Sequence, residues 1–122
     1  MATAQHSSRD KHFRHLVLRK DVSIEKRVDA LEKIQTERYL MMIALDNHCR
    51  LGLRLMGVDL IKDQELQKQI LRRASNSIVA AAAAHKINDL TFLNMLENEH
   101  IDPYVRWVAK RGFVRLWNQS HV

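Results

Sequence analysis

Residues that interrupt or cross-link a chain are scarce in this sequence, which has one proline, three glycines and one cysteine among 122 residues. Few prolines and glycines leave little room for long loops or linkers, so we expect a single domain. The lone cysteine, Cys49, excludes an intramolecular disulfide and favours a reducing compartment. Residues 1–8 lack the apolar core of a secretory signal, and we therefore expect a cytoplasmic location. The alanine run at residues 80–84 is too short and too weakly apolar to cross a bilayer, so no membrane contact is expected.

Sequence motifs of catalysis and cofactor binding are also missing. The chain has no nucleophile elbow, P-loop, dinucleotide fingerprint or His-Glu-x-x-His helix. Glu97 and Glu99 are two residues apart, which directs them away from each other on a helix. His12 and His15 can share one helix face, but two ligands make a weak metal site. We therefore assign no catalytic, cofactor-binding or metal-binding residue, and we expect a protein that is not an enzyme.

What the sequence does contain is an internal repeat. Four apolar residues, which we call the anchors, follow one another at intervals of 27, 26 and 26 residues: Ile34, Ile61, Ile87 and Phe113. A small residue stands four positions before each anchor: Ala30, Gly57, Ala83 and Ala109. The residues six positions before the anchors are Val28, Leu55, Ala81 and Trp107. A period of this size is typical of stacked helical units, each of which buries its apolar face against a neighbour.

The spacing within each unit predicts helices, because residues seven, four and zero positions before an anchor share one helix face. Five residues precede apolar-periodic segments and are expected to cap them: Ser23, Thr36, Asp63, Asp89 and Asp102. The predicted helices span residues 9–19, 23–34, 37–47, 49–61, 64–74, 76–87, 90–99 and 103–117. No segment is typical of a strand, so the fold class is expected to be all-α.

Short helix pairs with an aspartate or asparagine at the turn, an arginine on the second helix and an Ala/Gly–Ile pair near its end resemble HEAT-like repeats. The chain is also similar to bacterial HEAT-like repeat domains of unassigned function. The resemblance implies a right-handed α-α superhelix of about four helical hairpins of 26–27 residues. We place this single domain at residues 9–122, after a disordered tail at residues 1–8.

The resemblance also implies a structural ladder, in which the turn residue of each hairpin bonds to the arginine of its second helix. The matching pairs here are Asp21 with Arg27, Asn47 with Arg54, and Asp102 with Arg106. Ala80 stands where the third unit would carry its arginine, and so departs from the pattern.

The basic charge of the chain is concentrated towards its ends, with a formal net charge of +6 and a pI near 9.8. If the stack curves, one surface of it would attract phosphates through a set of basic residues. These are Arg14, Arg19, Lys20, Arg72, Arg73, Lys110, Arg111 and Arg115. The alternative is that they form the polar outer faces that terminal units need. Stacking on single-stranded bases is not expected, because Tyr39, Phe92 and Trp107 lie in core columns of the repeat.

Three functions from different classes follow from these patterns. The first is a non-catalytic scaffold or adaptor that binds a protein partner through the concave face formed by the second helices of the units. The second is a nucleic-acid-binding module that contacts the phosphate backbone through the basic terminal clusters; HEAT-like DNA glycosylases use this architecture but are longer. The third is a subunit similar to the HEAT-like lyases that attach bilin chromophores, for which no local motif is present. We rank the scaffold first and the nucleic-acid binder second.

Overall fold

The computed structural model describes residues 2–121, with side chains from residue 8 onwards. Over this range the chain forms eight α-helices and no strand, which confirms the expected all-α class. They are α1 (Ala2–Leu18), α2 (Ile24–Lys33), α3 (Glu37–Leu45), α4 (Leu51–Leu60), α5 (Gln64–Arg73), α6 (Ser77–Lys86), α7 (Leu90–Glu99) and α8 (Pro103–Ser120). In that part of the chain, no helix combines the length and apolar character needed to cross a bilayer.

Two helix ends differ clearly from the sequence prediction. Helix α1 begins at Ala2, so residues 2–8 continue the helix where a disordered tail was expected, while Met1 lies outside the described residues. The segment contains neither proline nor glycine and includes two alanines, so nothing in it interrupts a helix. Helix α8 continues to Ser120, three residues past the predicted end.

The helices pack as four sequential hairpins that form two layers. Each odd-numbered helix packs against the even-numbered helix that follows it. Among the odd helices, α1 packs on α3 and α3 on α5; among the even helices, α2 packs on α4, α4 on α6 and α6 on α8. The core lies between these layers and includes fully buried Leu31, Ile43, Leu53, Ile70 and Leu93. Burying one such side chain contributes about 1.5–3 kcal/mol relative to leaving it exposed.

The small residues lie on the core side of the even helices, and the first three anchors are the extended C-cap residues that directly follow α2, α4 and α6, one position outside the predicted helical face. Ile61 and Ile87 are fully buried, whereas Phe113, within α8, is half-buried. A Cβ atom placed on Gly57 would lie 3.1 Å from the backbone oxygen of Leu40, so the backbones of α3 and α4 approach closely there. The small residue is therefore required by the helix crossing.

Most of the residues expected to cap helices do so. Asp63, Asp89 and Asp102 each accept a hydrogen bond from an amide of the first turn of α5, α7 and α8, respectively. The prediction for Thr36 is wrong, because its side chain makes no capping bond. Its own amide instead donates to Oδ2 of Asp10, a residue of α1, at 2.7 Å.

Candidate functional site

Two of the predicted ladder arginines, Arg27 and Arg54, are buried and reach backbone carbonyls. Arg27 Nε donates to the oxygen of Val17 at 2.8 Å, and Arg54 Nε donates to the oxygen of Ala44 at 2.9 Å. Both acceptors lie at the end of the preceding odd helix, where carbonyls have no partner within the helix. Each arginine therefore ties the two helices of its own hairpin together.

The predicted turn partners of these arginines take different roles. Asn47 Oδ1 does lie 3.4 Å from Arg54 Nη2, and it also accepts from Ser75 of the next hairpin at 3.0 Å. The Asp21–Arg27 pair is wrong, because Asp21 pairs with Arg19, which lies only two residues away. This contact with Arg19 lowers the pKa of the Asp21 carboxyl.

The predicted Asp102–Arg106 pair is also wrong. Asp102 accepts from the amide of Tyr104 at 2.8 Å as the cap of α8, while Arg106 Nη1 donates to the oxygen of His100 at 2.8 Å. A hydrogen bond from Ser77, at the start of α6, is the main cause that lowers the pKa of Asp102. The aspartate therefore caps α8, and the arginine bonds to a backbone carbonyl.

A second series of polar residues joins each hairpin to the next, and the sequence reasoning missed it. Asp10 accepts from the amides of Gln35 and Thr36 at 3.1 and 2.7 Å. Glu37 Oε1 accepts from the amides of Lys62 and Asp63, both at 2.9 Å, and Gln64 Oε1 accepts from the amide of Asn88 at 2.8 Å. An acceptor on one odd helix therefore binds the free amides before the next odd helix, in three successive places.

The repeat spacing contained a signal for this series. Glu37 and Gln64 both stand three positions after an anchor, and Asp10 stands 27 residues before Glu37. All three side chains end in an oxygen acceptor. Leu90 occupies the same position after the third anchor, and its side chain cannot accept a hydrogen bond, so the series ends there.

The basic residues considered for phosphate binding do not form one surface. Arg14 lies on α1, Arg19 and Lys20 in the turn after it, Arg72 and Arg73 in the last turn of α5, and Lys110, Arg111 and Arg115 on α8. Several are held by aromatic rings, with Arg14 5.1 Å from the Tyr39 ring centre and Arg72 5.5 Å from that of Phe92. These two belong to the odd layer, whereas the α8 group belongs to the even layer.

A groove runs across the four even helices. A depression of about 670 Å³ between α2 and α4 is lined by Glu32, Gly52, Leu55, Met56, Asp59 and Leu60. A second, of about 410 Å³, crosses α4, α6 and α8 and shares Leu55 and Asp59 with the first. The two are therefore continuous, and we call this surface the even-helix groove.

Equivalent positions of the four units supply most of the lining of the even-helix groove, and Arg111 borders it by resting on the Trp107 ring, while Glu25 and Val28 share the same face of α2 outside the lining. Two positions before the anchors stand Glu32, Asp59, His85 and Arg111. Six positions before them stand Val28, Leu55, Ala81 and Trp107, and nine before them stand Glu25, Gly52, Ile78 and Tyr104. The helical spacing of these positions places them on one face of each helix, opposite the arginine position and the small residue.

The α8 end of the groove carries exposed aromatic side chains. Trp107 is 53% exposed, which corrects the prediction that it lies in the core. Its ring centre is 6.2 Å from that of Tyr104 in a stacked arrangement, and the Arg111 guanidinium lies 5.0 Å from the Trp107 ring centre. Ile78 of α6 is 47% exposed beside them. An exposed apolar cluster of this kind is typical of a binding surface.

The single cysteine does not belong to this surface. Cys49 is buried, and burial is the main cause that raises the pKa of its thiol. A thiol that stays protonated at neutral pH is a poor nucleophile. Within the side chains described, no cluster of three or more histidine, cysteine or carboxylate residues is arranged to hold a metal ion. The groove itself presents apolar, aromatic and charged side chains.

Comparison with known proteins gives no relative from which to transfer a role: the chain matches no family model, no curated protein and no solved structure. The even-helix groove and the contacts between hairpins are therefore the basis for assigning a function. Both are built from residues at equivalent repeat positions.

Proposed function

We propose that this protein is a non-catalytic HEAT-like scaffold or adaptor, a short right-handed α-α superhelix that binds a protein partner through the even-helix groove. The superhelical form is supported by hydrogen bonds that recur from one hairpin to the next, at Asp10, Glu37 and Gln64. Equivalent contacts between successive units are what a stacked array requires. A cytoplasmic location is part of the proposal and agrees with a single, buried cysteine.

The observation that carries the proposal is the apolar cluster of Ile78, Tyr104 and Trp107 in the groove. These three side chains are 47%, 48% and 53% exposed, although each is large and apolar. They lie next to one another on α6 and α8 and line the same depression. Tyrosine and tryptophan side chains near the centre of an interface often contribute most of its binding energy.

The proposal is tested by charge substitution at the centre of the cluster. Trp107→Glu should abolish capture of the partner by the purified protein and raise the Kd at least tenfold once that partner is identified. The matched control is Met95→Glu, which places the same charge at a 40% exposed apolar position on the odd helix α7. Circular dichroism should show that both variants stay folded. Equal binding by the two variants would reject the groove as the interface.

A nucleic-acid-binding module is the second candidate, and the cation–aromatic contacts on the odd layer favour it. Lys68 and Arg72 both lie within 5.5 Å of the Phe92 ring centre, and Arg14 lies over Tyr39. Titration of labelled DNA and RNA over a salt series distinguishes the two functions, because phosphate binding weakens steeply as salt rises. Binding that is lost in Arg72→Gln and retained in Trp107→Glu would favour this second candidate.

A further inference from the structure

The charge of the even-helix groove changes sign from one end to the other. The residues two positions before the anchors are, in chain order, Glu32, Asp59 and His85, which line the groove, and Arg111, which borders it on the Trp107 ring. Since α2, α4, α6 and α8 pack in that order, the acidic residues lie at the α2 end and the arginine lies at the α8 end. Glu25 adds a second carboxylate to α2, at the position that Tyr104 occupies on α8.

Among the side chains of residues 8–121, the charged residues at the two ends of the groove have no ion-pair partner. In the middle, Asp59 pairs with Lys86 at 3.3 Å, which reduces the charge there. Glu25 and Glu32 form no ion pair with any side chain from residue 8 to residue 121. Over the same range Arg111 has no ion-pair partner and rests on the Trp107 ring. A ligand therefore meets free carboxylates at one end and a free guanidinium at the other.

The centre of the groove is mainly apolar. It is lined by Leu55, Ala81, Ala82 and Ile78, with the aromatic pair beside them. Three gaps of about 8–10 Å separate the axes of four packed helices, so the groove spans roughly 24–30 Å. A helical segment of about 16–20 residues covers this length at 1.5 Å per residue.

We infer that the partner is a protein segment with opposite charges at its two ends, bound in one direction along the groove. Its basic end lies over Glu25 and Glu32 of α2, its apolar side chains cover the centre, and its acidic end meets Arg111 of α8. The inference rests on the proposed function and adds the chemistry and the direction of the partner. Complementary charges of this kind set orientation and suppress wrong partners.

The test uses two synthetic amphipathic helices of about 18 residues with the same composition. The polar peptide carries glutamates in its first turns, an apolar stripe of leucine and phenylalanine, and lysines in its last turns. The control peptide has the same stripe but alternates glutamate and lysine along its length. We expect the polar peptide to bind about tenfold more tightly at low salt, since two or three exposed ion pairs contribute this much. At 1 M salt the difference should disappear.

Direction is measured with a nitroxide label on the lysine end of the polar peptide. The label should broaden the amide signals of α2 more than those of α8. Glu32→Lys and Arg111→Glu should each weaken the polar peptide about three- to fivefold and leave the control peptide unchanged. The matched controls are Glu99→Lys on α7 and Arg73→Glu on α5, which make the same charge changes outside the groove.

The possible outcomes separate this inference from the proposed function. Equal affinity of the two peptides, with signal changes in the groove, would overturn the charge direction and leave the groove as the binding surface. Failure of both peptides to shift groove signals would also overturn the inference. The proposed function itself is rejected only if Trp107→Glu binds the natural partner as well as Met95→Glu does.

Discussion

Asp10 of α1 holds the junction between α2 and α3, so replacing it by alanine should destabilise the first two hairpins. Its side chain is only 2% exposed, and its two carboxylate oxygens accept from the amides of Gln35 and Thr36 at 3.1 and 2.7 Å. Asp10→Ala leaves both amides without these acceptors. A hydrogen bond to a charged group contributes about 1.5–3 kcal/mol, and part of this is offset by the cost of burying the carboxylate. We expect a loss of about 3 kcal/mol in the free energy of unfolding.

The assay is urea and thermal unfolding followed by circular dichroism. A loss of this size corresponds to a fall in Tm of about 10 °C for a chain of this length. Asp10→Asn keeps one acceptor and should fall between alanine and wild type. Glu37→Ala is the matched comparison at the next hairpin, where a single oxygen accepts both amides and the side chain is less buried, so its effect should be smaller.

Hydrogen exchange gives a local reading of the same prediction. The amides of Gln35 and Thr36 should lose protection in Asp10→Ala before the rest of the core does, because their acceptors are removed directly. An alanine variant within 0.5 kcal/mol of wild type, with unchanged exchange at these two amides, would refute the claim that this side chain joins the hairpins.

Three further predictions concern packing, pH and thiol reactivity. Gly57→Val should lower stability by at least 2 kcal/mol in urea unfolding, because a Cβ at this position already meets the Leu40 oxygen at 3.1 Å. The amide of Phe92 and the side chain of Lys68 hold the pKa of Asp89 below its ordinary value, so the stability that the ionised carboxylate contributes is complete above about pH 4 and is lost as the pH falls further. Between pH 5 and pH 3 the Tm of Asp89→Asn should therefore fall less than the Tm of the wild type. Cys49 should react with a thiol reagent only slowly in the folded protein and at the normal rate in denaturant, and fast labelling of the native protein would contradict its burial.

The sequence was sufficient to predict the helices because their signals are local. Anchor spacing and capping aspartates place seven of the eight helix starts within about two residues of those observed. The start of α1 was missed because residues 2–8 carry no repeat position and no cap, so only helix propensity acts there.

The hydrogen-bond partners of side chains were harder to predict, because a long polar side chain can reach several acceptors. Arg27 and Asp21 are near in sequence, yet the arginine satisfies a carbonyl at the end of α1 and the aspartate takes the exposed Arg19. A buried guanidinium gains more from an otherwise unpaired carbonyl than from a solvated carboxylate. The separation of two residues in the sequence does not reveal which acceptor the arginine will bind.

The place of Trp107 shows why equivalent positions differ in environment. Leu55, Ala81 and Trp107 occupy the same repeat position, yet the first two are covered in part by the next even helix, whereas α8 is the last helix of its layer. Trp107 is therefore exposed in the groove, although it shares its repeat position with half-buried Leu55 and buried Ala81.

Stability and binding are assigned to different faces of the same helices. Arg54 and the small residue Gly57 of α4 are turned towards the neighbouring layer, while Asp59, on the same helix, faces the groove and is exposed. Substitutions of exposed residues away from packing contacts change stability by about 0.5 kcal/mol or less. Groove variants such as Glu32→Lys should therefore keep the fold, so that any loss of binding reports on recognition alone. This separation follows from helical periodicity, because Asp59, two positions after Gly57, points away from the face that Gly57 shares with Arg54.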